Sequence, residues 1–334
     1  MKKIFALLLA LLISVCALSG CESRKNADEP DRLKIVTTIF PAYDWVREIL
    51  GDKADNAEIT MLLDNGVDLH SYQPTADDIV KISSCDLFVY VGGESDSRVE
   101  SALKTASAEN VRAVKLLDVL GEFVKEEETV EGMQEDDHDG EEADGDEDGH
   151  ESESEAEIDE HVWLSLKNAE VLVKALSDVI SEIDPENKNA YSENTSTYLK
   201  KLSALDGEYQ KAVDGAKFKT LLFGDRFPFR YLTDDYGLSY YAAFAGCSAE
   251  TEASFETISF LSKKADELKL PCVLSIEGTN HKIAETIVQN TAEKNQKILT
   301  LDSMQSKTAK DAANGETYLS VMEKNLSVLK EALG

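Results

Sequence analysis

Histidines are the residues of this chain whose type and placement point most directly to chemistry. The sequence has five, and three of them, His70, His161 and His281, lie in loops between segments of regular structure. The other two, His138 and His150, lie in a strongly acidic tract. Neutral imidazole is the commonest protein ligand for zinc and also suits other transition metals. Three loop histidines would leave one position for a carboxylate or water, so together they predict a metal site, although a lone loop histidine is more often a surface or core residue.

The elements that must position these loops follow an α/β pattern. Short β-branched or apolar runs, such as 33–39 and 87–91, alternate with amphipathic segments in both halves of the chain. This alternation predicts parallel sheets covered by helices on both faces. A long helical pattern at 186–213 separates the two halves. We therefore expect two α/β lobes, with a ligand cleft at the carboxyl ends of their strands.

Local signals predict several individual elements. Thr75 is followed three residues later by Asp78, a capping-box pattern that predicts the start of a helix. Residues 113–117 are predicted to form a strand. Tyrosines and leucines recur at helical spacing along the long helix, which predicts a buried stripe that includes Tyr198 and Tyr209.

Acidic residues are concentrated in one segment. The formal net charge is −31, and residues 126–160 contain 20 Asp or Glu and no Lys or Arg. The rest of the chain has 34 basic and 45 acidic residues, a net charge of −11. This balance argues against a nucleic-acid partner, because phosphate binding needs a basic surface. The segment has almost no apolar residues, so we predict a disordered insertion.

The chemistry of this insertion has two interpretations. Its carboxylates, with His138 and His150, would capture metal weakly at many sites, or it is a solvating linker. The spacing of Asp144, Asp146, Asp148 and a later Glu155 fits a calcium EF-hand loop in form. We discount that match, because so acidic a segment produces it by chance and no amphipathic helix flanks it.

The amino terminus has the pattern of an export signal. Two lysines precede an apolar run from residue 4 to 18, which is too short for a membrane span of ~20 residues. The run ends in Leu-Ser-Gly-Cys, which resembles a bacterial lipobox whose Cys21 becomes the lipidated first residue. We predict a signal peptide at 1–20, a tether at 21–32 and attachment to the outer face of the membrane.

The remaining cysteines, Cys85, Cys247 and Cys272, form no Cys-x-x-Cys motif. Cys85 and Cys272 lie beside apolar runs and are predicted to be buried small hydrophobes. A disulfide between Cys247 and Cys272 is the alternative to free thiols, and we favour free thiols.

Two motifs carry a resemblance to a known family. Residues 68–75, Asp-Leu-His-Ser-Tyr-Gln-Pro-Thr, and residues 160–164, Glu-His-Val-Trp-Leu, resemble the first two ligand motifs of the zinc and manganese substrate-binding lipoproteins of ABC importers. The lipobox, the acidic insertion and the long helix match the zinc-uptake branch. The resemblance implies two Rossmann-like lobes joined by a rigid helix, with the metal between them. It also implies that His70 and His161 are ligands and that the partners are a membrane permease and its ATPase.

The second half departs from the family pattern at its third ligand. The matching position, five residues before Tyr231, holds Arg226. A guanidinium stays protonated and cannot coordinate a metal, so we expect Arg226 to pair with an acidic neighbour and hold the cleft together. Asp302 resembles the family's carboxylate ligand. The alternative is that Asp302 caps a helix. His281 is the favoured third donor, and the alternatives are Glu277, Asp225 or water.

The sequence thus predicts an exported, lipid-anchored solute-binding protein for Zn²⁺, with no catalysis. Its predicted lobes span residues 33–183 and 217–334, with the linker helix at 184–216. Its predicted metal ligands are His70, His161, His281 and Asp302. Zinc affinity should fall as the pH drops through ~6.5, because only neutral imidazole coordinates.

Three rival functions are retained. Manganese or iron would be the cargo if carboxylates dominate the site. A secreted metallohydrolase would need a motif such as His-Glu-x-x-His, which the sequence lacks. An adhesin or signalling lipoprotein would hold its metal as a structural element.

Overall fold

Eight β-strands in the described part of the chain form two parallel sheets, one in each half. The computed structural model describes residues 32–105, 111–134, 157–248, 252–278 and 280–334. The strands are β1 (Lys34–Thr37), β2 (Glu58–Met61), β3 (Leu87–Tyr90), β4 (Arg112–Lys115), β5 (Thr220–Phe227), β6 (Ser239–Ala245), β7 (Cys272–Ile276) and β8 (Lys297–Leu301). Their order is β2-β1-β3-β4 in the first sheet and β6-β5-β7-β8 in the second. All pairs are parallel, which confirms the predicted α/β fold.

Helices cover these sheets and connect their strands. The α-helices are α1 (Phe40–Leu50), α2 (Ala76–Ser84), α3 (Ser97–Thr105), α4 (Leu116–Leu120), α5 (Leu166–Ile183), α6 (Lys188–Asp214), α7 (Arg230–Tyr236), α8 (Phe255–Leu268), α9 (Lys282–Asn290), α10 (Ala309–Ala313) and α11 (Tyr318–Leu333). We call β1–β4 with their helices the first lobe, and β5–β8 with theirs the second lobe. Contacts group Leu33–Gly334 into one compact unit, so the predicted lobe boundaries at 183 and 216 stay predictions.

The long helix α6 runs beside both lobes. Its 27 residues span about 40 Å, and it packs against α1 of the first lobe and α11 of the second. The predicted stripe is buried, with Tyr198 and Tyr209 each at most 1% exposed. The Tyr209 hydroxyl donates to the Met322 carbonyl oxygen at 2.7 Å. The helix is therefore fixed to the second lobe by a buried hydrogen bond as well as by apolar packing.

Local signals predicted some element boundaries and missed others. The capping box at Thr75 and Asp78 is present and begins α2, as predicted. The predicted strand at 113–117 is wrong at its end, because Leu116 and Leu117 belong to α4. Both leucines are buried, and a short apolar run fits a buried strand or helix equally well by periodicity.

The ends of the acidic insertion are folded, which corrects the prediction of disorder over the whole of residues 126–160. Glu126 forms a β-bridge with Ile158. Glu127 accepts a hydrogen bond from the Cys247 N–H at 2.8 Å, and the Gln134 N–H donates to the Ala243 carbonyl oxygen at 3.0 Å. Specific partners in the second lobe offset the low hydrophobicity of these ends. His138, His150 and the EF-hand-like spacing lie outside the described residues.

Within the described ranges, no helix combines the length and the apolar character needed to cross a lipid bilayer. The predicted signal peptide and Cys21 lie outside those ranges.

Candidate metal centre

His70 is held by a short turn in the loop that follows β2. The turn is a 3₁₀ helix, Leu69–Ser71, and the Asp68 carboxylate caps it by accepting the His70 N–H at 3.0 Å. The ring Nδ1 of His70 lies 2.9 Å from the Ser95 hydroxyl oxygen. Because Nδ1 already has a partner, Nε2 is the ring nitrogen left to bind a ligand.

His161 is held more tightly still. Its side chain is fully buried, and Asp159 Oδ1 accepts the His161 N–H at 2.8 Å and lies 2.9 Å from the ring Nδ1. A carboxylate on Nδ1 fixes the ring orientation and makes the opposite nitrogen a better donor to a metal. The turn that follows, Val162–Leu164, is fixed to the second lobe, since the Trp163 indole N–H donates to the Ser303 carbonyl oxygen at 2.8 Å.

The two histidines meet at the ring nitrogens that do not face Ser95 or Asp159. Nε2 of His70 and Nε2 of His161 are 3.1 Å apart. Two nitrogens bound to one tetrahedral zinc ion at ~2.0–2.1 Å would be ~3.3 Å apart, so the separation of these two atoms already suits a shared ion. The side chain of Cys247 joins them, with the three potential ligand atoms all within 4.8 Å of one another. The sequence did not identify Cys247 as part of this site.

Glu160 lies beside this pair and supports the loop under His70. Its Oε1 accepts the Ser95 N–H at 2.9 Å, whereas Oε2 accepts no hydrogen bond from the described residues and lies 3.7 Å from His70 Nδ1. Gly93 makes this approach possible. It has a φ of +83°, and a Cβ there would lie 2.3 Å from the Glu160 carboxylate.

The environment shifts the pKa values of the two rings in opposite directions. Burial, together with the charge of the neighbouring His161, lowers the pKa of His70 to about 3. Burial also favours the neutral form of His161, but the Asp159 carboxylate raises the pKa of His161 above its usual value. In the metal-free protein His70 is therefore the neutral acceptor, and His161 holds its proton more tightly.

Arg226 pairs with an acidic neighbour, as predicted. Its Nη2 donates to Asp68 Oδ2 at 2.7 Å, and its Nη1 donates to the Ser248 carbonyl oxygen at 3.3 Å. Burial favours the neutral acid, but the guanidinium lowers the pKa of Asp68 below its usual value. The pair joins the turn before His70 to the end of β5, so it holds the two lobes together at the cleft.

His281 lies in the same cavity as His70 but outside the cluster of ligand atoms. The cavity has a volume of about 450 Å³, and Arg226 lies on its wall with the two histidines. Nδ1 of His281 lies 2.8 Å from the Ser275 hydroxyl oxygen. Its role as a metal ligand stays a prediction.

The predicted carboxylate ligand, Asp302, and the two carboxylates considered as alternatives to His281 all have partners. Asp302 Oδ2 lies 2.7 Å from Lys307 Nζ, and Asp302 Oδ1 accepts the Met304 N–H at 2.9 Å. Glu277 accepts the N–H of Ser303 at 2.6 Å, and Asp225 accepts the Ser275 hydroxyl at 2.7 Å. Coordination by Asp302 stays a prediction.

Cys85, Cys247 and Cys272, the cysteines of the described ranges, form no disulfide, as favoured from the sequence. Cys85 and Cys272 are each 5% exposed in the apolar core, as predicted. Cys247 is different, because it is half-buried and belongs to the histidine cluster.

The sequence is similar to those of known zinc-binding proteins. The family model ZnuA, described as zinc-uptake complex component A, periplasmic, matches residues 35–332. The zinc-binding lipoprotein AdcA of Streptococcus pneumoniae is 33% identical over 333 residues, which cover 99% of this chain and 61% of that protein. The high-affinity zinc uptake system protein ZnuA of Bacillus subtilis is 30% identical over 326 residues, which cover 97% of this chain and 94% of that protein.

A solved structure has a similar fold. The crystal structure of the Zn(II)-bound ZnuA-like domain of Streptococcus pneumoniae AdcA is 29% identical with a TM-score of 0.67. The match covers 90% of this chain and 99% of that domain. The chain spans only about 61% of the length of the AdcA proteins that it matches.

Proposed function

Because the chain belongs to the zinc-uptake complex component A family, we propose that it is the solute-binding component of a zinc importer. It captures Zn²⁺ outside the cell and delivers the ion to a membrane permease that an ATPase drives. The family is one of solute-binding proteins, so the ion is cargo and no reaction is catalysed.

The observation that carries this proposal is the pair of facing imidazoles. Their Nε2 atoms are 3.1 Å apart, and each ring has its Nδ1 held, by Ser95 for His70 and by Asp159 for His161. This is the arrangement of a metal site whose ligand orientation is fixed before the ion arrives. Imidazole nitrogen favours zinc over manganese, which prefers carboxylate ligands.

The proposed location is the outer face of the cell membrane. The lipobox-like Leu-Ser-Gly-Cys before residue 22 supports attachment through a lipid on Cys21. The family description names a periplasmic component, which supports export. Attachment keeps the protein close to the permease, which raises the effective concentration of cargo there.

Measurement of bound metal tests the proposal. The purified full chain is dialysed against a zinc buffer, and zinc per chain is found by elemental analysis. We expect about one tightly held ion. His70→Gln should abolish tight binding, whereas His281→Gln, a matched change on the wall of the same cavity, should be milder because His281 lies outside the ligand cluster.

The contrary results are equally clear. If the wild-type chain held no zinc, or if His70→Gln held it as tightly as the wild type, the proposed function would be wrong. A variant that lacks residues 135–156 separates the cleft from the acidic insertion. Loss of all zinc in that variant would show that the insertion, not the histidine pair, is the principal site.

A further inference from the structure

We infer that the sulfur of Cys247 is the third protein ligand of the metal, completing a two-histidine, one-cysteine site with His70 and His161. This inference rests on the proposed function and deepens it, because it assigns the ligand at the point where the sequence departs from the family pattern. The basis is geometric, since the three ligand atoms lie within 4.8 Å of one another.

The distances suit a zinc ion with little rearrangement. Zinc binds cysteine sulfur at ~2.3 Å and histidine nitrogen at ~2.0–2.1 Å, which in a tetrahedral site places sulfur ~3.6 Å from each nitrogen. The sulfur of Cys247 already lies within 4.8 Å of a ring nitrogen of each histidine. It must therefore approach by about 1.2 Å at most, which a side-chain rotation provides.

A hydrogen bond and the close packing of the preceding residue hold Cys247 in place. Cys247 follows β6, and its N–H donates to Glu127 Oε1 at 2.8 Å. The preceding residue, Gly246, lies against the site itself, since a Cβ there would be 3.2 Å from His161 Cε1 and 2.9 Å from the Phe227 carbonyl oxygen. A glycine at this position lets the loop pass directly beside the His161 ring, so its next side chain can reach the metal.

Arg226 explains how the family's missing donor is replaced. It stands at the position of the family's third ligand and cannot coordinate. Its guanidinium instead binds Asp68, two residues before His70, and the carbonyl oxygen of Ser248, the residue after Cys247. Arg226 is thus a positioning residue that connects the turn of His70 to the loop of Cys247.

A thiolate ligand also bears on which metal is carried. Thiolate is a soft donor that favours zinc over manganese and iron(II), whose sites are richer in carboxylate and water. Zinc bound to Cys247 displaces the thiol proton to solvent. The sequence left manganese or iron as alternative cargo. Sulfur and imidazole together favour zinc over both.

X-ray absorption at the zinc edge tests the assignment. The full chain is loaded with one equivalent of zinc, and we expect one sulfur at ~2.3 Å besides nitrogen or oxygen at ~2.0–2.1 Å. Cys247→Ser should remove the sulfur contribution. Cys272→Ala, a matched change at a cysteine in the apolar core, should keep it.

Affinity and selectivity provide a second readout. Loss of an outer-shell partner typically weakens metal binding 10–100-fold, so loss of a direct ligand in Cys247→Ala should weaken zinc binding by at least ~10-fold. Cys247→Asp should narrow the preference for zinc over manganese, because it replaces a soft donor with a hard one. Circular dichroism of each variant checks that it folds.

The outcomes separate this inference from the proposed function. A wild-type chain that holds zinc through nitrogen and oxygen alone would overturn the role of Cys247 and leave the proposed function standing. Equal zinc affinity in wild type and Cys247→Ala would overturn it too. A wild-type chain that binds no zinc would overturn both.

Discussion

Substitution of Gly246 by alanine tests how closely the cysteine loop packs against the metal site. A Cβ there would lie 2.9 Å from the Phe227 carbonyl oxygen, whereas ordinary contacts of this kind begin near 3.4 Å. The loop and β5 would have to separate by about 0.5 Å. The obstacle is main chain on one side and the ring of His161 on the other, and Asp159 holds that ring in place.

We expect Gly246→Ala to lower the free energy of unfolding by ~1–3 kcal/mol, the usual cost of overpacking. In a chain of this size that lowers the Tm by ~2–6 °C. Zinc affinity should fall as well, because the separation carries Cys247 away from the histidines. Thermal unfolding of the metal-free protein measures the first effect, and competition with a chelator measures the second.

Gly207→Ala is the matched control. Gly207 lies inside α6, where a Cβ would meet nothing within 4 Å. Alanine should stabilise this helix by ~0.5–1 kcal/mol and leave zinc binding unchanged. If Gly246→Ala equalled the wild type in both Tm and zinc affinity, the reasoning about close packing at the site would be refuted.

Two further substitutions test charge rather than packing. Asp159→Asn keeps an acceptor near His161 but removes the charge, so zinc affinity measured by chelator competition should fall ~10–100-fold, and an unchanged affinity would contradict the role given to Asp159. Burial raises the pKa of Asp44 to about 7, so the folded chain holds that proton more tightly than the unfolded chain does. Stability should therefore fall by up to ~4 kcal/mol as the pH rises from about 4 to about 7. Asp44→Asn keeps an acceptor for the Tyr318 N–H and should remove this fall, and equal pH slopes in urea unfolding of the two proteins would count against it.

Features encoded by neighbouring residues were predictable from the sequence. The capping box at Thr75 depends on residues three apart, and the α/β alternation depends on runs of four to eight residues. The motifs around His70 and His161 are also local, and the structure brings these two rings together. Arg226 was predictable as a non-ligand from its chemistry alone.

Features that depend on distant residues were not predictable. Nothing near Cys247 in the sequence signals a metal ligand, because its partners lie on turns of the other lobe. A loop cysteine preceded by a strand and a glycine is too common to predict a ligand. Likewise, composition marks residues 126–134 as unable to fold, yet Glu127 and Gln134 find partners on the second lobe.

The hydrogen bonds around Trp163 affect how zinc would leave the protein. The Trp163 indole donates to Ser303, and the Tyr318 hydroxyl donates to the Trp163 carbonyl oxygen at 2.7 Å. The turn that carries His161 is thus attached to the far lobe before any ion binds. A site assembled in advance loses little freedom on loading, so its residence time is long. Under the proposed function, we therefore expect release of the ion to require a partner that displaces α11 or the loop after β8, rather than to occur spontaneously.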